Sequence, residues 1–168
     1  MTTLSSTAEV NGNSMLVTLN GCGAFKRQAM ALLQERGVTS AVENGEWYPL
    51  STLLGILEEL ARKVGSNVLV EVGKKVPELS TFPPQIETFA QVLESLNVAY
   101  HMNHRNGDIG DYQVTKTDAS TYRVDCSTVP YPAKFNFGLI RGLSNKFEAL
   151  VDIEEADSAG GGVFIVKM

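Results

Sequence analysis

The chain has 168 residues, 43% of them hydrophobic and 20% charged, with a formal net charge of −5. A chain of this length can bury a core without disulfide or metal staples, and its ordinary globular composition indicates neither a disordered nor a membrane protein. Residues 1–84 and 85–168 carry −1 and −4, so neither half has the basic excess that nucleic-acid binding needs. No apolar run reaches the roughly 20 residues that span a bilayer.

Met1–Asn13 is polar, lacks Lys and Arg, and reads as a flexible lead-in to a single ligand-binding-type α+β domain over 14–168. With no secretion signal in that stretch, a cytoplasmic protein with reduced Cys22 and Cys126 is expected. Met15–Leu19 is a short apolar run read as a strand, followed by the turn residues Asn20-Gly21. A helix is expected from Ala24 to Arg36, stopped by Gly37. Trp47-Tyr48-Pro49-Leu50-Ser51 introduces the next helix, to about Val64. Its apolar face (Leu53, Leu54, Ile56, Leu57, Leu60, Ala61) is broad enough to place it centrally. Val68–Glu78 reads as a short helix by context, although its apolar residues suit a strand as well. Pro83-Pro84 opens a long helix to about Asn103, with Ile86, Phe89, Leu93, Leu96 and Tyr100 forming an amphipathic stripe.

After Asn106-Gly107 the pattern changes to alternation. Tyr112–Thr117 and Thr121–Ser127 flank a turn and read as a hairpin. Pro130-Tyr131-Pro132 leads into the helix Lys134–Phe147, and Ala149–Glu155 and Val163–Lys167 form a second hairpin about Gly160-Gly161-Gly162. The fold class expected is α+β, with helices packed on an antiparallel sheet and a C-terminal half of order β-β-α-β-β. Gly138 and Gly142, four apart on the helix, predict close packing against the sheet or a second subunit.

Catalytic chemistry finds little support. Gly21-Cys22-Gly23 has Lys26 where the dinucleotide fingerprint needs a third glycine, so it reads as a helix-entry turn. With two histidines and no Gly-x-Ser-x-Gly elbow, no nucleophile–base set is evident. No catalytic residue and no metal site is assigned, since His101 and His104 alone do not complete a ligand set. The informative polar cluster is Tyr100-His101-Met102-Asn103-His104-Arg105 at the end of the long helix. Tyr100 and His104 fall near its apolar stripe and His101 on the flank. Cations favour a helix C-terminus in any case. The functional reading is that Tyr100, His104 and Arg105 project polar groups into a mostly apolar cavity, with Tyr131 and Phe135 among the aromatics able to line it.

The run Tyr100-His101-x-x-His104-Arg105-x-Gly107-x-Ile109-Gly110-x-Tyr112, a hairpin, then Pro130-Tyr131-Pro132-x-x-Phe135-x-x-Gly138-x-x-x-Gly142 and two closing strands resembles the 4-vinyl reductase-like domains. These are grouped with the haem-NO-binding and haem-NO-associated domains and with vesicle-tethering TRAPP subunits. The resemblance covers about residues 85–168, with Trp47-Tyr48-Pro49-Leu50 in support. It implies a mixed fold, often dimeric, with an apolar cavity between sheet and helices for hydrophobic or porphyrin-like molecules. Two features depart from the pattern. Ala133 follows Pro132 where relatives that bind metal or are acylated carry cysteine nearby, Cys126 being the nearest thiol. The Tyr-x-Ser-x-Arg motif that holds haem propionates in gas-sensing relatives is missing. His101, after Leu96-Asn97, sits roughly where a proximal histidine would.

The expectation is a cytoplasmic, homodimeric domain that binds a small hydrophobic molecule without catalysis. Its ligand-binding residues would be Tyr100, His101, His104, Arg105, Tyr131 and Phe135, and its action would pass through a partner or through ligand delivery. Two alternatives stay open. One is a haem-binding gas or redox sensor with His101 or His104 as axial ligand, and the other is a structural assembly module.

Overall fold

The computed structural model describes residues 7–168. Its strands are β1 (Glu9–Asn11), β2 (Trp47–Pro49), β3 (His104–Arg105), β4 (Gln113–Lys116), β5 (Thr121–Asp125), β6 (Asp152–Asp157) and β7 (Val163–Lys167). Its helices are α1 (Gly12–Gly21), α2 (Lys26–Glu35), α3 (Leu50–Val64), α4 (Val68–Leu79), α5 (Phe89–Glu94), α6 (Leu96–Asn103) and α7 (Ala133–Lys146). The α+β class and the C-terminal order β4-β5-α7-β6-β7 are as expected.

Two antiparallel sheets organise the molecule. The larger has the order β4-β5-β7-β6. Alternation sets its inner face, where Tyr122, Val124, Phe164 and Val166 are almost wholly buried, because successive strand residues point to opposite sides. Helices α5 and α6 pack on β4, and α7 packs on β6. Helix α4 lies on α7 and α1 on α4, so the helices build outward in layers. The smaller sheet, β2-β1-β3, pairs Val10 with both Tyr48 and His104.

The closest helix contact is made by glycines. A Cβ on Gly138 would overlap the Val70 carbonyl, one on Gly142 the Lys74 carbonyl, and one on Gly73 the Phe135 carbonyl. The close packing expected of Gly138 and Gly142 is therefore present, but its partner is helix α4 rather than the sheet or a second subunit.

Three further expectations need correction. The lead-in expected over 1–13 falls partly on residues 1–6, outside the described ones. In the described part Ala8 and Val10 are buried and Glu9–Asn11 is a strand, so residues 9–13 already belong to the fold. Met15–Leu19 is helical rather than a strand. The Asn11 side chain accepts from the Ser14 amide at 2.8 Å and caps α1, and four of these five residues are buried. A helix buried on most sides loses the 3.6-residue signature. The long helix expected from Pro83-Pro84 starts later, at Phe89, and divides at Ser95. Thr88 and Gln91 form a capping box there, which satisfies the first free amides of α5 and fixes its start.

Candidate functional site

The end of α6 is held from several sides. The Asn103 amide donates to the Ala99 carbonyl at 2.7 Å and accepts from the Asn11 amide at 2.6 Å. At His104 the backbone turns extended (φ −135°, ψ 146°) and enters β3. The His104 ring nevertheless stays with the helix. Its Nδ1 lies 2.9 Å from the Tyr100 carbonyl and its Nε2 lies 2.9 Å from the Tyr131 hydroxyl. A carbonyl only accepts, so Nδ1 carries the proton.

Burial pushes the His104 pKa down to about 4, against a smaller opposing effect of the Tyr100 carbonyl. The ring is neutral at pH 7, so Nε2 is a bare lone pair and Tyr131 donates to it. Burial likewise raises the hydroxyl pKa values of Tyr100, Tyr112 and Tyr131, which stay protonated. The unfolded chain binds a proton at His104 near pH 6.5 and the folded one only near pH 4, so the unfolded state takes up more protons between them. Stability from this residue is complete above about pH 6.5 and falls as pH drops toward 4, by roughly 3 kcal/mol. Urea midpoints at pH 7 and pH 4.5 should show this loss, and His104→Gln should remove most of that slope.

Aromatic rings surround the pair. The His104 ring lies 4.2 Å from that of Tyr100, Tyr112 meets Tyr100 edge-on at 5.1 Å, and Tyr131 stacks on Phe135 at 4.8 Å. Tyr131 is placed by the prolines on either side of it, and Pro132 starts α7 in an extended conformation that proline's fixed φ favours. Behind this layer, fully buried Asn136 ties three segments together. Its Oδ1 accepts from the Tyr112 hydroxyl at 2.7 Å, and its Nδ2 donates to the carbonyls of Tyr131 at 3.2 Å and Gly161 at 2.9 Å.

Tyr100, His104, Tyr131 and Phe135 line a cavity of about 620 Å³. Its other walls include α1 (Val17, Thr18), the end of α4 (Val76, Pro77), residues 80–83, 85 and 86, Val92 of α5 and the α7 residues Leu139 and Leu143. The rim includes exposed Val98 and Met102 of α6, 64% and 72% accessible; apolar side chains this exposed on a cavity mouth suit an apolar occupant. Among the described lining residues none is Lys, Arg, Asp or Glu.

Four of the six residues singled out in the sequence therefore meet at one cavity. The other two do not line it. His101 points away and bonds Asp111 at 2.9 Å on the exposed side of α6. Arg105 pairs with Glu9 at 2.7 Å and lies over the Trp47 ring at 4.2 Å. Among the described residues, no group of three or more His, Cys, Asp or Glu could hold a metal ion, and no helix is long and apolar enough to cross a membrane. Cys22 and Cys126 are buried thiols; burial raises both pKa values, that of Cys22 to about 11. The walls from α1, α4 and residues 80–83, 85 and 86 carry no local motif. Asn136 did have a signal, since a lone amide amid the apolar residues of a helix must find partners inside.

An α+β layer with a cavity between its helices is the class this geometry defines. No family model and no curated protein matches the sequence. Solved structures do match the fold, among them H-NOX (haem–nitric oxide/oxygen binding) proteins. One is an oxygen-binding H-NOX domain related to soluble guanylate cyclases, in its oxygen complex, with 14% identity, coverage of 93% of this chain and 91% of that one, and a TM-score of 0.66. Another is an H-NOX protein from S. oneidensis in the Fe(II)NO state, at 11% identity, 94% and 98% coverage and a TM-score of 0.69. A variant of Tt H-NOX is similar at 14% identity, 94% coverage of both chains and a TM-score of 0.70. The chain thus has the H-NOX fold. Of the groups its sequence pattern resembles, the haem-NO-binding one is matched in structure.

Proposed function

We propose that this chain is a sensory domain without chemistry of its own, in which the cavity beside His104 holds a small, uncharged, mainly apolar molecule. The observation that carries this reading is the cavity of about 620 Å³ with no charged side chain in its described lining. Pockets of that size and character suit drug-sized ligands. The imidazole at its wall is a weak base, because burial pushes its pKa down to about 4.

A second reading, haem-based gas sensing, is favoured by the H-NOX structures that share the fold. His104 is the residue that would hold the iron. An Nδ1–H fixed on a carbonyl with a bare Nε2 is the tautomer of a metal-bound imidazole. Two features oppose it. The Nε2 lone pair already takes the Tyr131 proton, and the described lining supplies no cation for the two haem carboxylates. The Tyr131-Pro132-Ala133-Lys134-Phe135 run has neither the serine nor the arginine of the propionate motif. The residues present thus fit an axial ligand but not a buried haem dianion.

Titration with haemin followed by visible absorption separates the two. The expected result is a Soret band that the protein does not shift. A shifted band that disappears in His104→Ala would replace our reading with the haem one.

A further inference from the structure

The cavity's buried polar groups have their protons committed. Five buried polar residues line it: Thr18, Tyr100, His104, Tyr112 and Tyr131. The Thr18 hydroxyl donates to the Ser14 carbonyl at 2.9 Å, Tyr100 to the Ile109 carbonyl at 2.7 Å and Tyr112 to Asn136 at 2.7 Å. Tyr131 donates to His104 Nε2, and His104 Nδ1 donates to the Tyr100 carbonyl, each at 2.9 Å. Half-buried Ser80 follows the same rule, donating to the Val76 carbonyl at 2.6 Å.

A hydroxyl has one proton to give and two lone pairs to receive. With each proton spent on the protein, these hydroxyls offer an incoming molecule only lone pairs. Pro77 and Pro83, also on the wall, have no backbone N–H to add. A ligand hydroxyl or N–H would find acceptors. A carboxylate, phosphate or ketone oxygen at the buried end would be stripped of water and find no free proton among these hydroxyls, the other polar lining groups (Asn13, Thr81 and Gln85 among them) being exposed or at the rim.

We propose that the cavity selects an uncharged, mainly apolar molecule that carries a hydroxyl or N–H donor on its buried end. This rests on the reading of the chain as a small-molecule sensor and names the class sensed. The inner donor would sit among the oxygens of Thr18, Tyr100 and Tyr131, with the apolar body against Leu139, Leu143 and the rim residues Val98 and Met102.

Four probes of the full chain test it: 1-dodecanol, dodecyl methyl ether, dodecanoate and haemin. Affinity is read by titration and place by NMR, since the chain's two histidines lie one at the cavity and one outside. Dodecanol should bind about tenfold more tightly than the ether of like shape, the effect of roughly one net hydrogen bond, and should outbind dodecanoate and haemin. It should move the His104 imidazole signal and leave that of His101 in place. An ether as tight as the alcohol removes the donor requirement. A tighter dodecanoate overturns the uncharged class here and in the proposed function, leaving only small-molecule binding at the cavity, and a tighter haemin replaces both with the haem reading. Binding that moves only His101, or no binding by any of the four, overturns both.

Discussion

Gly138→Ala should lower the stability of the protein by about 3 kcal/mol, read as a shift of the urea midpoint at unchanged slope. The added methyl would overlap the carbonyl oxygen of Val70. Flexible side chains can swing aside, but this neighbour is the backbone of α4 inside a hydrogen-bonded helix. Relief requires α4 and α7 to separate along their contact, which opens gaps between them that cost dispersion energy. Gly45→Ala is the matched control, since a Cβ there meets nothing within 4 Å, and should stay within about 0.5 kcal/mol of the parent. A Gly138→Ala midpoint equal to that of Gly45→Ala would show that the helices are not as close as described. The variant should also alter ligand binding, because α7 carries Phe135, Leu139 and Leu143 into the cavity wall.

Asn136→Leu should be at least as damaging, by about 3 kcal/mol or more, through unsatisfied polar groups rather than overlap. Leucine is close to asparagine in size, yet it would orphan the Tyr112 hydroxyl and the carbonyls of Tyr131 and Gly161 at once. Each sits where water does not reach, and an unpaired buried group costs roughly 1–3 kcal/mol. Thermal unfolding should show the loss as a fall in Tm of about 10 °C. A fall of only a degree or two would mean that water enters and replaces the amide.

The elements most legible in the sequence were those with one wet and one dry side. Both hairpins, α3 and α7 show clean alternation or a one-sided stripe, and their limits fall within a few residues of those expected. Helix α1 was not legible, because Met15, Val17, Thr18 and Leu19 are buried on more than one side. The break at Ser95 was hidden by an apolar stripe that continues across it. At the candidate site, Tyr100 and His104 could be placed from helical spacing alone, whereas Tyr131 and Phe135 were legible only as members of a set of aromatics able to line a pocket. The misplacement of Arg105 has a definite physical reason. Arg105 follows the end of the helix, and from β3 onward strand alternation decides its direction, so it turns outward as His104 turns inward. Glu9, its partner, is 96 positions away, and spacing within one helix cannot reveal such a pairing. The cavity itself needed the fold, since its walls come from segments spread from Asn13 to Leu143.

The small sheet gives the cavity an address on the outside of the molecule. Val10 pairs with His104 on one side and Tyr48 on the other, while Arg105 grips Glu9 and covers Trp47. The end of α6 is therefore stitched to a segment early in the chain, and any displacement of His104 by an occupant pulls on that stitch. A motion of fractions of an ångström inside would surface as a change in the seam between Glu9, Trp47 and Arg105. Trp47, the chain's single tryptophan, would then report the proposed occupant as a change in its emission on binding.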